Sequence, residues 1–189
     1  MKRIIAVQFT RKRKQVTNYR NRLKLLMSGK ERLVIRKTSR SIIVQFTRFD
    51  EKGDMVITSA SSSQLKKHGW QLGLKNIPAA YLTGLMAGKL ALAKNVKHAV
   101  LDAGISTPSS KGRVYAALKG AVDAGVKVPL SEAIFPSEER ISGIHISNYM
   151  NSSKSANQFS SYKKAGLSAE KVKGQVNSVK VKITGAKNG

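Results

Sequence analysis

Hydrophobic and polar positions change period along the chain. Between residues 32 and 61 the apolar residues gather into three short β-branched runs, "RLVIRKT" (32–38), "IIVQFTRFD" (42–50) and "MVITSAS" (55–61). Ser39-Arg40-Ser41 and the 50–54 cluster "DEKGD" separate them, and links this short predict an antiparallel meander. From residue 61 the period lengthens. "SSSQLKKHGWQLGL" starts on serine caps and has Leu65 and Trp70 to bury, which predicts a helix. Pro78 suits the first turn of a second helix, "AAYLTGLMAGKLALAKNV", whose Gly84, Ala87, Gly88 and Ala91 allow close packing on a sheet or helix. "KHAVLDAG" (97–104) reads as a buried strand. The loop "ISTPSSKG" then leads to "RVYAALKGAVDAG" (113–125), with Val114, Ala117, Leu118 and Ala121 on one helical stripe.

The order βββ-α-β-α implies an α/β fold with a mixed sheet sandwiched with helices. Before it, Thr17 and Asn18 are helix caps for a segment from about Tyr19 to Ser28. Its leucines would pack on the body while Arg20, Arg22 and Lys24 face outward. After Pro129, Ser137 followed by Glu138 and Glu139 marks a helix start, with acids at the positive end of the dipole. Residues 151–166, "NSSKSANQFSSYKKAG", are Ser/Asn/Lys-rich and read as extended or disordered when alone. "SAEKVKGQVNSVKVKI" is a last basic helix candidate, weakened by Gly174 and a β-branched tail. The divisions expected are a basic arm at 1–18, an α/β core at 19–130 and a helical, basic extension at 131–189.

Charge changes this picture most. The 189 residues hold 35 Lys and Arg against 10 Asp and Glu, a formal net charge of +25. Residues 1–40 account for +13 and residues 151–189 for +7, which leaves the 110 residues between them at +5. An ordinary globular middle thus carries cationic extensions at both ends. Self-repulsion on this scale calls for a polyanion, and nucleic acid leads on that ground. There is no cysteine, which excludes disulfides, thiolate metal sites and a cysteine nucleophile. The apolar run in "MKRIIAVQF" is too short for a signal-peptide core, and no stretch of about 18 apolar residues exists, so the cytoplasm is the expected compartment.

Two segments carry the candidate chemistry. Arg11, Lys12, Arg13 and Lys14 stand side by side ahead of the Tyr19 helix. Like charges gain nothing by folding on each other, whereas each can neutralise a phosphate and release counter-ions. The bland reading is a solvated tail or nuclear-import tag. In "DAGISTPSSKGRVYAALKG", Gly104, Ser106, Thr107, Ser109, Ser110 and Gly112 would leave backbone N–H groups open, and Lys111 and Arg113 open a helix where an anion is favoured. No GxxxxGK[ST] is present, and an ordinary connection is the bland reading. Asp102 at a strand end invites Mg²⁺, but no second acid accompanies it. His68, His98 and His145 lack metal-ligand spacing. Trp70, Tyr81 and Tyr115 fall at core positions.

"TNYRNRLKLLMSGKERLVIRKTSRSIIVQF", "AYLTGLMAGKLALAK", "AVLDAGISTPSSKGRVYAALKGAVDAG" and "IFPSEERISGIHI" together resemble the archaeal-type large-subunit ribosomal protein that binds 5S rRNA, the universal L-eighteen family. The resemblance covers roughly residues 11–150. It implies a ribonuclease-H-like mixed α/β core and a structural, non-catalytic role without cofactor. The implied task is attaching 5S rRNA to the large subunit at the central protuberance, with large-subunit rRNA and neighbouring ribosomal proteins as further partners and no membrane. RNA-binding residues implied are Arg11, Lys12, Arg13, Lys14, Tyr19, Arg20, Arg22, Arg36, Lys37, Arg40, Ser109, Ser110, Lys111 and Arg113. The opening "MKRIIAVQFT" departs from the usual family start. The competing readings are a Mg-dependent nucleic-acid-processing enzyme centred on Asp102 and a DNA-compacting protein.

Overall fold

The three β-branched runs form the strands that their alternation predicts. In this computed structural model, which describes residues 7–152, 158–160, 162 and 166–185, β1 (Glu31–Lys37), β2 (Ile42–Arg48) and β3 (Met55–Ser61) pair antiparallel in turn. β4 (Ala99–Asp102) joins β1 in parallel, giving the order β3-β2-β1-β4. The mixed α/β sheet expected from the element order is present. Side chains alternate across it, so Leu33, Ile35, Ile42, Val44, Phe46 and Ala60 fill one face of the core. Arg32, Val34, Arg36, Gln45 and Thr47 take the other face.

Register shifts once, between Phe46, opposite Thr58, and Thr47, opposite Val56. The extra residue, Ile57, packs on the core, and Val56 turns to the polar face, half exposed. A bulge of this kind re-aims the residues that follow it.

Helices cover the apolar face. Counting helices from the N-terminus, α3 (Ile77–Ala93) packs on β2 and β3, and α4 (Arg113–Asp123) on β1. Asn76 caps α3 by accepting the Ala79 N–H at 2.8 Å, and Pro78 sits in its first turn. The small residues have the role their spacing suggests. A Cβ added at Gly84 would lie 1.8 Å from the Ala117 carbonyl, and one at Gly120 2.1 Å from the Tyr81 carbonyl. The two helices therefore approach through bare backbone. Residues 62–68 form a 3₁₀ helix with a Ser61–Gln64 capping box, which stops at Gly69 (φ +88°) before Trp70. That element is shorter than the periodicity suggested, because a left-handed residue ends it; Leu65 and Trp70 are buried as expected.

Past residue 130, α5 (Glu138–Ser142) and α6 (Ile144–Asn151) meet at Gly143, and α7 (Ala169–Gly185) follows. Ala169, Val172, Val176, Val179 and Ile183 recur at helical spacing and are buried, with α7 lying on α6, α3, α5 and the 3₁₀ helix. Gly174 does not interrupt it: a Cβ there would meet nothing within 4 Å. Residues 153–157, 161 and 163–165, part of the stretch expected to be extended, lie outside the described residues, as do 1–6 of the opening segment.

Candidate nucleic-acid interface

The four consecutive cations do not run as an extended arm. α1 (Thr10–Arg13) winds them into a single turn, with Lys12 and Arg13 N–H donating to Phe9 O at 2.9 and 3.0 Å and Lys14 N–H to Thr10 O at 3.0 Å. Gln15 (φ +51°) then reverses the chain, and Val16 N–H returns to Arg11 O at 2.9 Å. A helical turn spreads adjacent side chains by about 100°, which relieves the repulsion that argued against folding. All four cations remain exposed, and Arg11 Nε donates to Thr17 Oγ1 at 2.9 Å.

α2 (Tyr19–Leu26) starts where its cap predicts, Asn18 Oδ1 accepting the Asn21 N–H at 3.1 Å. Tyr19 stacks against Phe9, with ring centroids 5.4 Å apart. Two expectations for this helix need correcting. Its leucine stripe is not buried on the body: α2 has no fully buried residue, Leu23 is 62% exposed, and Leu25 and Leu26 are only partly covered. Nor does Arg22 face outward with Arg20. Its guanidinium forks onto Asp54, Nη1 and Nη2 donating to Oδ2 and Oδ1 at 2.8 Å each. The bidentate match outweighs solvation of a free cation.

Beneath that pair lies a buried charge. Arg32 on β1 is 3% exposed; its Nη1 donates to Asp102 Oδ2 at 2.9 Å, and its Nη2 lies 2.5 Å from Asp54 Oδ2, an ion pair without hydrogen-bond alignment. Partial burial alone would raise the Asp54 pKa, but Arg22 and Arg32 outweigh it and hold the carboxyl below its ordinary value. The Asp54 contact in turn raises that of Arg22. Asp102 Oδ1 accepts the Gly104 N–H at 2.8 Å. The carboxylate that invited Mg²⁺ is thus already neutralised by a guanidinium. In the sequence Arg32 is one cation within a β-branched run and Asp54 one residue of a turn cluster, with nothing to pair them.

The polar sheet face and the N-terminal segment enclose a cleft of about 580 Å³ lined by Arg11, Thr17, Tyr19, Arg22, Arg36, Gln45 and Thr47, with Arg32, Asp54 and Asp102 at its base. A second cleft of about 400 Å³ brings Lys37 together with Ser109, Ser110, Lys111 and Arg113 at the first turns of α3 and α4. Arg140 and His145, not singled out from the sequence, also line it. Burial, reinforced by Arg140, lowers the His145 pKa. Among the described residues His145 Nδ1 and Asn76 Nδ2 are buried with no hydrogen-bond partner.

Two of the amides expected to be open in the 103–112 loop, those of Gly104 and Gly112, are already used, and so is that of Lys111, because backbone N–H groups find acceptors locally. Gly104 donates to Asp102, Lys111 to Ile134 O at 2.9 Å, and Gly112 to Ser109 O at 3.1 Å. Lys111 takes the left-handed conformation (φ +56°). Arg40 sits exposed in the β1–β2 turn, outside both clefts, and Lys75 links that turn, through Ser39, to Arg113 of the second. Lys75 Nζ donates to Ser39 O at 3.2 Å and its carbonyl accepts from Arg113 Nη1 at 3.3 Å. Among the described residues no carboxylate lies within 4.0 Å of Arg11, Lys12, Arg13, Lys14, Arg20, Arg36, Lys37, Arg40, Lys111 or Arg113.

Comparison with known proteins gives this surplus a context. The family model described as "Ribosomal large subunit proteins 60S L5, and 50S L18" matches residues 3–99. The large ribosomal subunit protein uL18 of Thermofilum pendens is 45% identical over 183 residues, covering 94% of this chain and 93% of that protein. This chain belongs to that family. The uL18 proteins of Methanococcus maripaludis (43% identical over 182 residues, 94% of each chain) and Korarchaeum cryptofilum (45% over 188 residues, 97% of this chain and 96% of that one) agree. The match to these uL18 proteins extends over nearly all of each chain. Membership makes the chain a structural ribosomal protein and not an enzyme. No helix among the described residues is long and apolar enough to cross a membrane.

Proposed function

We propose that the protein binds 5S rRNA and attaches it to the large ribosomal subunit at the central protuberance, also contacting large-subunit rRNA and neighbouring ribosomal proteins in the cytoplasm. The observation that carries this reading is the set of exposed cations, none neutralised by a carboxylate among the described residues, around the two clefts of a large-subunit ribosomal protein. Arg11, Lys12, Arg13, Lys14 and Arg20 act from the N-terminal side, with Tyr19 as an aromatic platform. Arg36, Lys37 and Arg40 act from the end of β1 and its turn, and Ser109, Ser110, Lys111 and Arg113 from the loop before α4. Arg22 belongs to the same surface through its Asp54 fork, as a support for α2. Residues 1–18 act as the basic arm, 19–130 as the 5S-binding core and 131–189 as the extension.

Recognition is mainly by phosphate and shape, because the deep major groove of A-form RNA hides base edges from side chains. The test is titration of the full chain with 5S rRNA in Mg²⁺, with duplex DNA as competitor. The expected result is a one-to-one complex that leaves the RNA intact and resists DNA. Cleavage of the RNA, or equal competition by DNA, would overturn the reading in favour of a processing enzyme or a DNA compactor.

A further inference from the structure

Four charges from four places in the chain meet in one electrically balanced set: Arg22 on α2, Asp54 just before β3, Arg32 within β1 and Asp102 at the end of β4. α2 depends on this set more than any other helix does. It buries no residue, and among the described residues the Arg22 fork supplies the only side-chain hydrogen bonds between α2 and the sheet. At the opposite end of the set, Asp102 holds the Gly104 amide at 2.8 Å and so fixes the start of the loop leading to Lys111 and Arg113. Gly104 is left-handed (φ +70°), and a Cβ there would lie 3.2 Å from Arg36 Nη1. Buried Arg32 therefore ties together two segments that the sequence presents as separate cationic elements.

We propose that Asp54 is a positioning residue for RNA: through Arg22 and Arg32 it fixes α2, with Arg20 and Lys24, over the polar face of the sheet. The inference rests on the 5S rRNA reading. It makes a prediction opposite in sign to simple electrostatics. Asp54→Asn raises the net charge by one, and charge alone would then strengthen binding to a polyanion. Positioning demands the reverse, because an amide cannot hold the guanidinium fork as a carboxylate does.

The experiment measures 5S rRNA affinity of the full chain against salt for wild type, Asp54→Asn, Asp54→Glu and Arg22→Gln, with amide exchange on each. For Asp54→Asn we expect affinity to fall about tenfold and the slope of log K against log salt to flatten by about one phosphate contact. Protection should be lost in α2 and kept in β1, β2 and α3. Asp54→Glu, which retains a carboxylate, should recover part of the loss. Adding Arg22→Gln to Asp54→Asn should cost little more, since both break one fork. If the wild type binds 5S rRNA while Asp54→Asn binds as tightly or tighter, with α2 protection unchanged, the positioning role is overturned and the RNA reading stands. If the wild type ignores 5S rRNA, both fall.

Discussion

α7 buries Ala169, Val172, Val176, Val179 and Ile183 along one stripe, whereas α1 and α2 have no fully buried residue: Leu23 is 62% exposed, and Tyr19, Leu25 and Leu26 are only partly covered. Both segments belong to the cationic ends of the chain, and charge counting treats them alike. They are attached by different physics. Among the described contacts of α2, its side-chain hydrogen bonds to the sheet come from one charged fork. α7 is held by apolar area, to which its lysines add: Lys182 Nζ donates to His68 O at 3.3 Å, and Lys180 Nζ lies 5.4 Å from the centre of the Tyr81 ring. Tyr81 in turn donates to Asp123 at 2.8 Å, so the C-terminal helix is tied into the α3–α4 pair. A cationic terminus can thus be part of the core or lie on its surface, and burial in the folded chain, not apolar spacing alone, separates the two cases.

The sharpest way to break this comparison is to attack the buried stripe. Val176→Asp places an unpaired charge where the side chain is 2% exposed, and should cost about 3–5 kcal/mol in a denaturant titration. A loss under about 1 kcal/mol would mean that α7 is an appendage after all. Next in size is the converse at the other end. Replacing Arg11, Lys12, Arg13 and Lys14 with Ala should leave stability within about 0.5 kcal/mol, since all four are exposed. The same variant should flatten the salt dependence of 5S rRNA binding by about three phosphate contacts. A stability loss with an unchanged slope would reverse the assignment.

The smallest effect separates the two attachments by pH. The Asp54 pKa is depressed in the folded protein. Its contribution is therefore present above the unfolded value, about 3.9, and is lost as pH falls through the lower folded value. Acidification through that window should release amide protection in α2 while α7, held by valines and isoleucine, keeps its own. Loss in both helices at the same pH would show that they open as one unit.

Much of the body is legible in the sequence because its signals are local. The β-branched runs, the Asn18 cap, the Gly84/Gly88 stripe of α3 and the Val114–Ala121 stripe of α4 each fall within a few residues of what they specify, and each has the expected element. The 3₁₀ helix is shorter than its pattern because a single left-handed glycine outweighs the residues after it. At the candidate site, the sequence shows which residues are cationic but not which of those charges are already taken. Arg22 and Arg36 look alike in the chain. One is forked onto Asp54, and the other has no carboxylate within 4.0 Å among the described residues. At the C-terminus, Gly174 and the β-branched tail weaken the helical signal in the sequence, and the folded chain places Val179 and Ile183 of that tail in the buried stripe.

What the sequence determined by itself is the set of elements, their order and the excess of positive charge, all of which follow from short-range periodicity and composition. Tertiary structure alone decided the neutralisation. Residues 22, 32, 54 and 102 meet only after the β2–β3 bulge and the parallel pairing of β4 with β1 have set the register. An ion pair has no period along a chain, and its partners are chosen by the sheet that brings them together.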